Sequence, residues 1–242
     1  METLAHIPDL EDPRYLDEVG WFVSHEKYVY EGTDSSYAEQ RVANSRIQLR
    51  EFLEVAGRGE GWLEGKSVVT IGAGCTGDLS AWPAARKIAA DPLMLVYQRL
   101  EMLIDDVCGV ATEFITASAE NLPLLDACAD IVYCRNALNH IADPTAAVDE
   151  AARILNPGGV FFVDVDLGGI PTPDEPVVFT ASTLEELLGR HFRVRALRER
   201  GNPHSKHSPA RCEFLLEHRP GYHAPRLDRG AVLAKYMGQF GS

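Results

Sequence analysis

The sequence predicts an α/β fold built on a doubly wound, mostly parallel sheet of seven strands, and two observations lead to this prediction. Short apolar or β-branched runs alternate with segments of helical period along most of the 242 residues. One of these runs, at 68–71, leads directly into the turn Gly72-Ala73-Gly74-Cys75-Thr76-Gly77. A strand followed by Gly-x-Gly-x-x-Gly and a helix is typical of a parallel sheet that holds a nucleotide at its carboxyl edge.

The elements of the first half follow from local signals. Ser36 and Glu39 have the spacing of a capping box, so we expect a helix to begin there and to end near Gly57. The first strand is predicted over 67–71, and the glycine turn predicts a helix over 77–86. Next come a strand over 87–90, a helix over 93–106 and a strand over 113–117.

The second half continues the alternation. Strands are predicted over 131–134 and 160–165, separated by a helix that Asp143 caps and Pro144 begins. In this helix, Asp149 and Arg153 have the spacing of an i, i+4 ion pair. Ser182 is the predicted cap of another helix, and strands over 192–197 and 213–217 complete the sheet.

Composition limits the classes of partner. The net charge of −13 disfavours binding to nucleic acid or to an anionic membrane. No stretch approaches the ~20 apolar residues of a membrane span, and the N-terminus lacks the pattern of a secretory signal. The five cysteines show no metal-binding spacing, so we expect free thiols, no metal and a cytoplasmic location.

Three regions are predicted along the chain. Residues 1–57 form an N-terminal lid with a helix, rich in aromatic side chains. Residues 58–220 form the sheet domain, and residues 221–242 form a C-terminal tail.

The glycine turn predicts an adenosine-type cofactor. Gly72 permits a tight turn, Gly74 permits close approach to a ligand, and Gly77 permits packing of a helix on the strand. Asp91 follows the first glycine by about twenty residues, the separation expected of a carboxylate that binds ribose hydroxyls. These features fit both a nicotinamide dinucleotide and S-adenosylmethionine.

Three further segments distinguish between these cofactors. They are Ala119-Glu120-Asn121-Leu122-Pro123-Leu124, Leu138-Asn139-His140-Ile141-Ala142-Asp143-Pro144 and Arg153-Ile154-Leu155-Asn156-Pro157-Gly158-Gly159. In this order they closely resemble the small-molecule branch of the class I S-adenosylmethionine-dependent methyltransferases, over about residues 66–217. The resemblance implies a Rossmann-like methyltransferase fold, with 58–220 as the S-adenosylmethionine-binding domain.

The resemblance implies a set of residues around S-adenosyl-L-methionine, to which the aromatic lid adds two tyrosines. The residues are Gly72, Ala73, Gly74, Gly77, Asp91, Pro92, Leu93, Ser118, Ala119, Glu120, Arg135 and Asn136, with Tyr28 and Tyr37 from the lid. The chain departs from the family at Thr70 and Ser118, where the family often has an acid.

His140 and Asn139 are the expected catalytic residues. His140 would act as a general base, or would pack beneath the site as a structural residue, and Asn139 would hydrogen-bond the substrate. The expected substrate-binding residues are His25, Tyr30, Asp166, His204 and Ser205. Solvated loops or strand ends remain the alternative at Asp166, His204 and Ser205.

The expected function is methyl transfer to oxygen or nitrogen of a small molecule by in-line displacement. One alternative is an enzyme of the same fold that cyclises the cofactor and releases methylthioadenosine. Others are a non-catalytic cofactor-binding subunit and a nicotinamide oxidoreductase. A homodimer is compatible with the sequence.

Overall fold

The computed structural model describes residues 13–23, 36–76, 79–104, 107–201 and 210–222. Its strands are β1 (Ser67–Ile71), β2 (Arg86–Asp91), β3 (Thr112–Thr116), β4 (Ala129–Arg135), β5 (Leu155–Leu167), β6 (Phe192–Gly201) and β7 (Ala210–His218). They form a seven-stranded sheet in the order β3-β2-β1-β4-β5-β7-β6. The first five strands are parallel, whereas β7 is antiparallel to both of its neighbours. The predicted fold class is therefore confirmed.

The helices are α1 (Pro13–Trp21), α2 (Tyr37–Ala56), α3 (Met94–Arg99), α4 (Pro144–Ile154) and α5 (Ala181–Leu188). The capping box of Ser36 and Glu39 is present, and Gly57 ends α2 in the left-handed conformation with φ 62°. Asp143 caps α4 by accepting hydrogen bonds from the backbone of Thr145 and Ala146. These caps confirm the sequence prediction.

The predicted helix over 77–86 is wrong in its described part, because residues 79–85 form no helix. The backbone N–H groups of this segment find partners outside a helix: Ala81 donates to Ser45 Oγ at 3.1 Å, and Ala85 donates to the Lys66 carbonyl at 2.9 Å. Pro83 has no N–H to donate. The segment instead buries Trp82 completely.

Two other helix predictions need correction. The helix predicted over 93–106 is shorter, since α3 ends at Arg99 and Glu101 has a left-handed φ of 56°. The cap of α5 is Thr180, whose hydroxyl accepts from the backbone of Thr183, and not Ser182.

The sheet is covered on both faces, as a doubly wound fold requires. On one face α2 covers an aromatic cluster in which Phe52 stacks on Trp82 at 5.1 Å, and Tyr133 stacks on Phe162 at 5.0 Å between ring centroids. The other face packs against α4 and α5 through fully buried aliphatic residues, including Val148 and Leu184. In the part of the chain that the structure describes, no helix is long and apolar enough for a membrane span.

Candidate active site

The glycine turn lies between the carboxyl ends of β1 and β2. Gly72 and Gly74 have left-handed φ values of 65° and 60°, as a tight turn requires. The N–H of Gly72 donates to the Ala90 carbonyl of β2 at 2.9 Å. A Cβ added to Gly72 would lie only 2.3 Å from Cβ of Ala137, which follows β4. Gly72 therefore also permits close packing between β1 and the segment after β4.

We predict that Gly72→Ala destabilises the protein more than Gly57→Ala does. Both positions have φ above 60°, so alanine carries a backbone cost of about 1–2 kcal/mol at each. Only the Gly72 variant adds a clash, at 2.3 Å, and overpacking costs about a further 1–3 kcal/mol. Chemical denaturation of both variants measures this difference. Equal losses of unfolding free energy would contradict the packing role of Gly72.

Asp91 ties the glycine turn to the loop after β2. Its Oδ2 accepts from the N–H of Gly74 at 2.9 Å, and its Oδ1 accepts from the N–H of Leu93 at 2.8 Å. Its side chain is buried, and this burial raises the pKa of the carboxyl group to about 6. Each carboxylate oxygen can accept more than one hydrogen bond. Asp91 can therefore hold both loops and still accept from a ligand hydroxyl.

The segment after β3 is fastened to the N-terminus of α4. Ser118 donates to the carboxylate of Glu120, and Glu120 Oε1 accepts from the N–H of Asp143 at 3.3 Å. Ser118 is exposed, whereas Ala119 belongs to the core. Glu120 is therefore already engaged where the sequence predicts an adenine contact.

Arg153 fixes the next part of the same loop. Its guanidinium donates to the carbonyls of Leu122 at 3.0 Å and Leu124 at 2.7 Å. It also pairs with Glu150 at 2.7 Å, whereas Asp149 pairs with Arg190 and His191, which directly precede β6. The predicted i, i+4 pair of Asp149 and Arg153 is therefore wrong.

After β4 the backbone turns through Asn136, which is exposed and has φ 49°. The side chain of Arg135 contacts Glu51 of α2 at 2.8 Å and Asp164 of β5 at 3.3 Å. Arg135 is thus held by carboxylates on the face that α2 covers, and Asn136 lies at the carboxyl edge of the sheet.

Asn139 and His140 lie beneath the loop that follows β5. The carbonyl of Asn139 accepts from the N–H of Val177 at 3.2 Å, and its side chain is 3% exposed. Among the residues described, no group hydrogen-bonds its Oδ1 or the Nδ1 of His140, although both atoms are buried. His140 Nε2 lies 3.7 Å from Glu175 Oε1. Glu175 is thus the carboxylate next to the expected general base.

Some of the remaining predicted site residues belong to the described part of the chain, and others do not. Tyr37 donates to the Met102 carbonyl at 3.1 Å and lies 3.5 Å from Cys75 Sγ, next to the glycine turn. Asp166 lies 3.7 Å from Arg211 on β7. Gly77, His25, Tyr28, Tyr30, His204 and Ser205 lie outside the described residues.

A network of charges, which sequence reasoning missed, crosses four strands beside this site. Register places Arg135 beside Asp164, Asp164 beside Glu213, and Glu213 beside Arg198. Arg200 also contacts Glu213, at 2.9 Å. Asp164 and Glu213 are completely buried, so the arginines neutralise two adjacent carboxylates.

Comparisons with known proteins agree with this geometry. Residues 69–163 match a family model described as a methyltransferase domain. A ubiquinone/menaquinone biosynthesis C-methyltransferase of Hahella chejuensis is 36% identical over 107 residues, which are 41% of this chain and 42% of that protein. A ubiquinone biosynthesis O-methyltransferase of Pectobacterium carotovorum is 33% identical over 131 residues, 50% of this chain and 52% of that protein. The chain thus spans about half the length of these curated relatives.

Solved structures support the fold. The 1,6-didemethyltoxoflavin-N1-methyltransferase of Burkholderia thailandensis, solved with its substrate and S-adenosylhomocysteine, has a TM-score of 0.58 at 18% identity. The alignment covers 90% of this chain and 92% of that one. The matched residues 69–163 contain the glycine turn, Asp91 and the segments after β3 and β4. Residues 69–163 are thus similar to a methyltransferase domain, and the fold of the chain is similar to that of a solved methyltransferase.

Proposed function

We propose that this protein transfers a methyl group from S-adenosylmethionine to an oxygen or nitrogen atom of a small molecule. The observation that carries the proposal is the joint placement of the glycine turn and the Asp91 carboxylate at the carboxyl ends of β1 and β2. The strand order reverses between β1 and β4, which makes this edge a topological switch point. Doubly wound sheets bind ligands at such a point.

The residues at this edge fit the cofactor. Asp91 is a buried carboxylate with acceptor capacity to spare for the ribose hydroxyls. The chain turns through two left-handed glycines, so no Cβ obstructs the approach of a ligand to the turn. When bound, S-adenosylmethionine supplies a methyl group activated by a sulfonium. Ser118 and Asn136 are exposed after β3 and β4, where we expect the adenine and the acceptor, respectively.

His140 is the proposed general base where the acceptor must lose a proton. Its Nε2 lies 3.7 Å from Glu175 Oε1, so a small movement of either side chain would let this carboxylate hydrogen-bond and orient the ring. In-line methyl transfer also requires alignment of the acceptor, which the buried amide of Asn139 would support. Curated relatives are named for transfer to nitrogen, carbon and oxygen, respectively. The acceptor class, a cytoplasmic location and a homodimer remain predictions from the sequence.

The activity is tested by incubating the protein with S-adenosylmethionine, alone and with a panel of phenolic, carboxylic and amine acceptors. We expect S-adenosylhomocysteine and a methylated acceptor, by mass spectrometry, only when an acceptor is present. Methylthioadenosine formed from the cofactor alone would contradict methyl transfer and support cyclisation.

A matched pair of histidine variants makes this assay sharper. His191 also faces a carboxylate, with Nε2 2.6 Å from Asp149, but it precedes β6 at the opposite edge of the sheet. With an acceptor that must be deprotonated, His140→Gln should lower kcat by about 10²–10⁴-fold, whereas His191→Gln should not. Equal kcat values in the two variants would contradict the role of His140.

A further inference from the structure

Helix α1 and the residues directly after it cover the glycine turn. A Cβ added to Gly74 would lie 3.0 Å from Cζ of Phe22. Val19 and Phe22 pack against a completely buried cluster that contains Cys75 and Leu93, together with Tyr97 and Met102. Cys75 and Leu93 belong to the loops on either side of Asp91, the residue whose carboxylate must be reached by a ribose.

Glu18 brings a carboxyl group from α1 into the same crevice. Its Oε1 accepts a hydrogen bond from the hydroxyl of Tyr97 at 3.2 Å. Burial raises the pKa of Glu18 to about 8, and the charges of Asp91 and Asp174 add to the effect. Asp91 ends β2 and Asp174 follows β5, and these strands are separated in the sheet by β1 and β4. Glu18 therefore lies near the carboxyl edge of the sheet, where it contacts Tyr97 of α3.

Helix α1 and the residues directly after it cover only one side of the expected cofactor site. Ser118 and Asn136 are exposed, whereas Asp91 is 3% exposed. Within the described ranges, no lysine, arginine or histidine forms an ion pair with Glu18 or Asp91. The expected adenine end is thus open to solvent, while the expected ribose end is covered by apolar contacts and by a carboxyl group that forms no ion pair among the described residues.

We propose that α1 competes with S-adenosylmethionine for the surface formed by Gly74, Cys75 and Asp91, and that displacement of α1 releases a proton from Glu18. This inference rests on the proposed cofactor site. In the closed arrangement Glu18 is protonated beside Asp91. When α1 moves outward, the carboxyl group becomes exposed, ionises and passes its proton to solvent.

The pH dependence has a definite sign. An exposed glutamate titrates near 4.5, whereas Glu18 beneath α1 titrates near 8. The closed state therefore has its full stability below about pH 4.5 and loses it as the pH rises through about 8. Asp91, with its pKa raised to about 6, contributes in the same direction if it too becomes solvated. The other groups facing Glu18 are Tyr97, whose raised pKa keeps it neutral throughout, and Asp174.

Hydrogen exchange on the cofactor-free protein tests the proton coupling. After correction for intrinsic exchange, protection of the amides of residues 13–23 should fall at least fivefold between pH 6 and pH 8.5. Glu18→Gln keeps an acceptor for Tyr97 but cannot ionise, so its protection should stay constant. Asp17→Asn, on the exposed side of the same helix, should behave as the wild type. Constant protection in the wild type would overturn the proton coupling.

Calorimetry tests the competition. Phe22→Ala weakens the cover, so it should tighten binding of S-adenosylmethionine at least threefold, because less of the protein is held in the closed state. The wild type should release protons on binding at pH 7, as measured in buffers of different ionisation enthalpy, and Glu18→Gln should release fewer. Weaker binding by Phe22→Ala would overturn the competition and make α1 part of the bound site. Failure of the wild type to bind the cofactor would instead overturn the proposed function, and the exchange experiment would still decide the behaviour of α1.

Discussion

Replacing Asp91 by alanine is expected to weaken binding of S-adenosylmethionine by about 1.5–3 kcal/mol, or roughly ten- to a hundredfold in Kd. Two effects combine in this loss. The ribose hydroxyls lose a charged acceptor, and the N–H groups of Gly74 and Leu93 lose the carboxylate that holds the two loops together. Titration calorimetry of the wild type and the variant measures the difference.

Asp130 provides the matched control, because it performs the same structural task at the opposite edge of the sheet. Its carboxylate accepts from the N–H of Ser67 at 2.8 Å and from Asn156 Nδ2 at 3.1 Å. Asp130→Ala should lower the free energy of unfolding but leave the Kd of the cofactor within about twofold. If both variants bound S-adenosylmethionine as tightly as the wild type, the assignment of Asp91 to the ribose would be wrong.

Replacing Glu213 by alanine is expected to lower the free energy of unfolding by about 3 kcal/mol. Glu213 is completely buried between Arg198 and Arg200, and Asp164 lies directly beside it on β5. The variant leaves the guanidinium groups without their shared carboxylate. This loss of unfolding free energy is at the lower end of the range for breaking a buried ion pair. The reason is that about a third of each arginine side chain is exposed to water.

Glu217 on the same strand is the control for this prediction. It also contacts two arginines, Arg193 and Arg195, but the side chains of these arginines are 58% and 47% exposed. Glu217→Ala should therefore cost less than about 1 kcal/mol. Chemical denaturation of both variants gives the comparison, and equal losses would show that the buried network does not stabilise the sheet.

The features predicted correctly from sequence are those whose signals are local. Ser36 and Glu39 specify the start of α2, Gly57 specifies its end, and Asp143 with Pro144 specifies the start of α4. The glycine turn could also be predicted from sequence, because it directly follows a short β-branched strand. Each of these signals spans only a few residues, so no tertiary contact was needed to interpret it.

The features that escaped prediction depend on contacts between distant parts of the chain. Residues 79–85 are not helical because N–H groups in this segment donate to Ser45 and Lys66, and because Trp82 is buried against Phe52 of α2. The charge network requires the register of four strands. Arg198 and Arg200 alternate in the sequence, but this spacing does not show which carboxylates lie opposite them. Glu18 lies 73 residues before Asp91 in sequence, and nothing local connects the two.

Calorimetric titration of the wild type with S-adenosylmethionine and, separately, with NAD shows whether the crevice between β1 and β4 binds the proposed cofactor. We expect saturable one-to-one binding of S-adenosylmethionine and no binding of NAD. At a hundredfold excess over Kd, the cofactor should also raise the free energy of unfolding by about 2.7 kcal/mol. Binding of NAD alone, or of neither ligand, would contradict the proposed cofactor site.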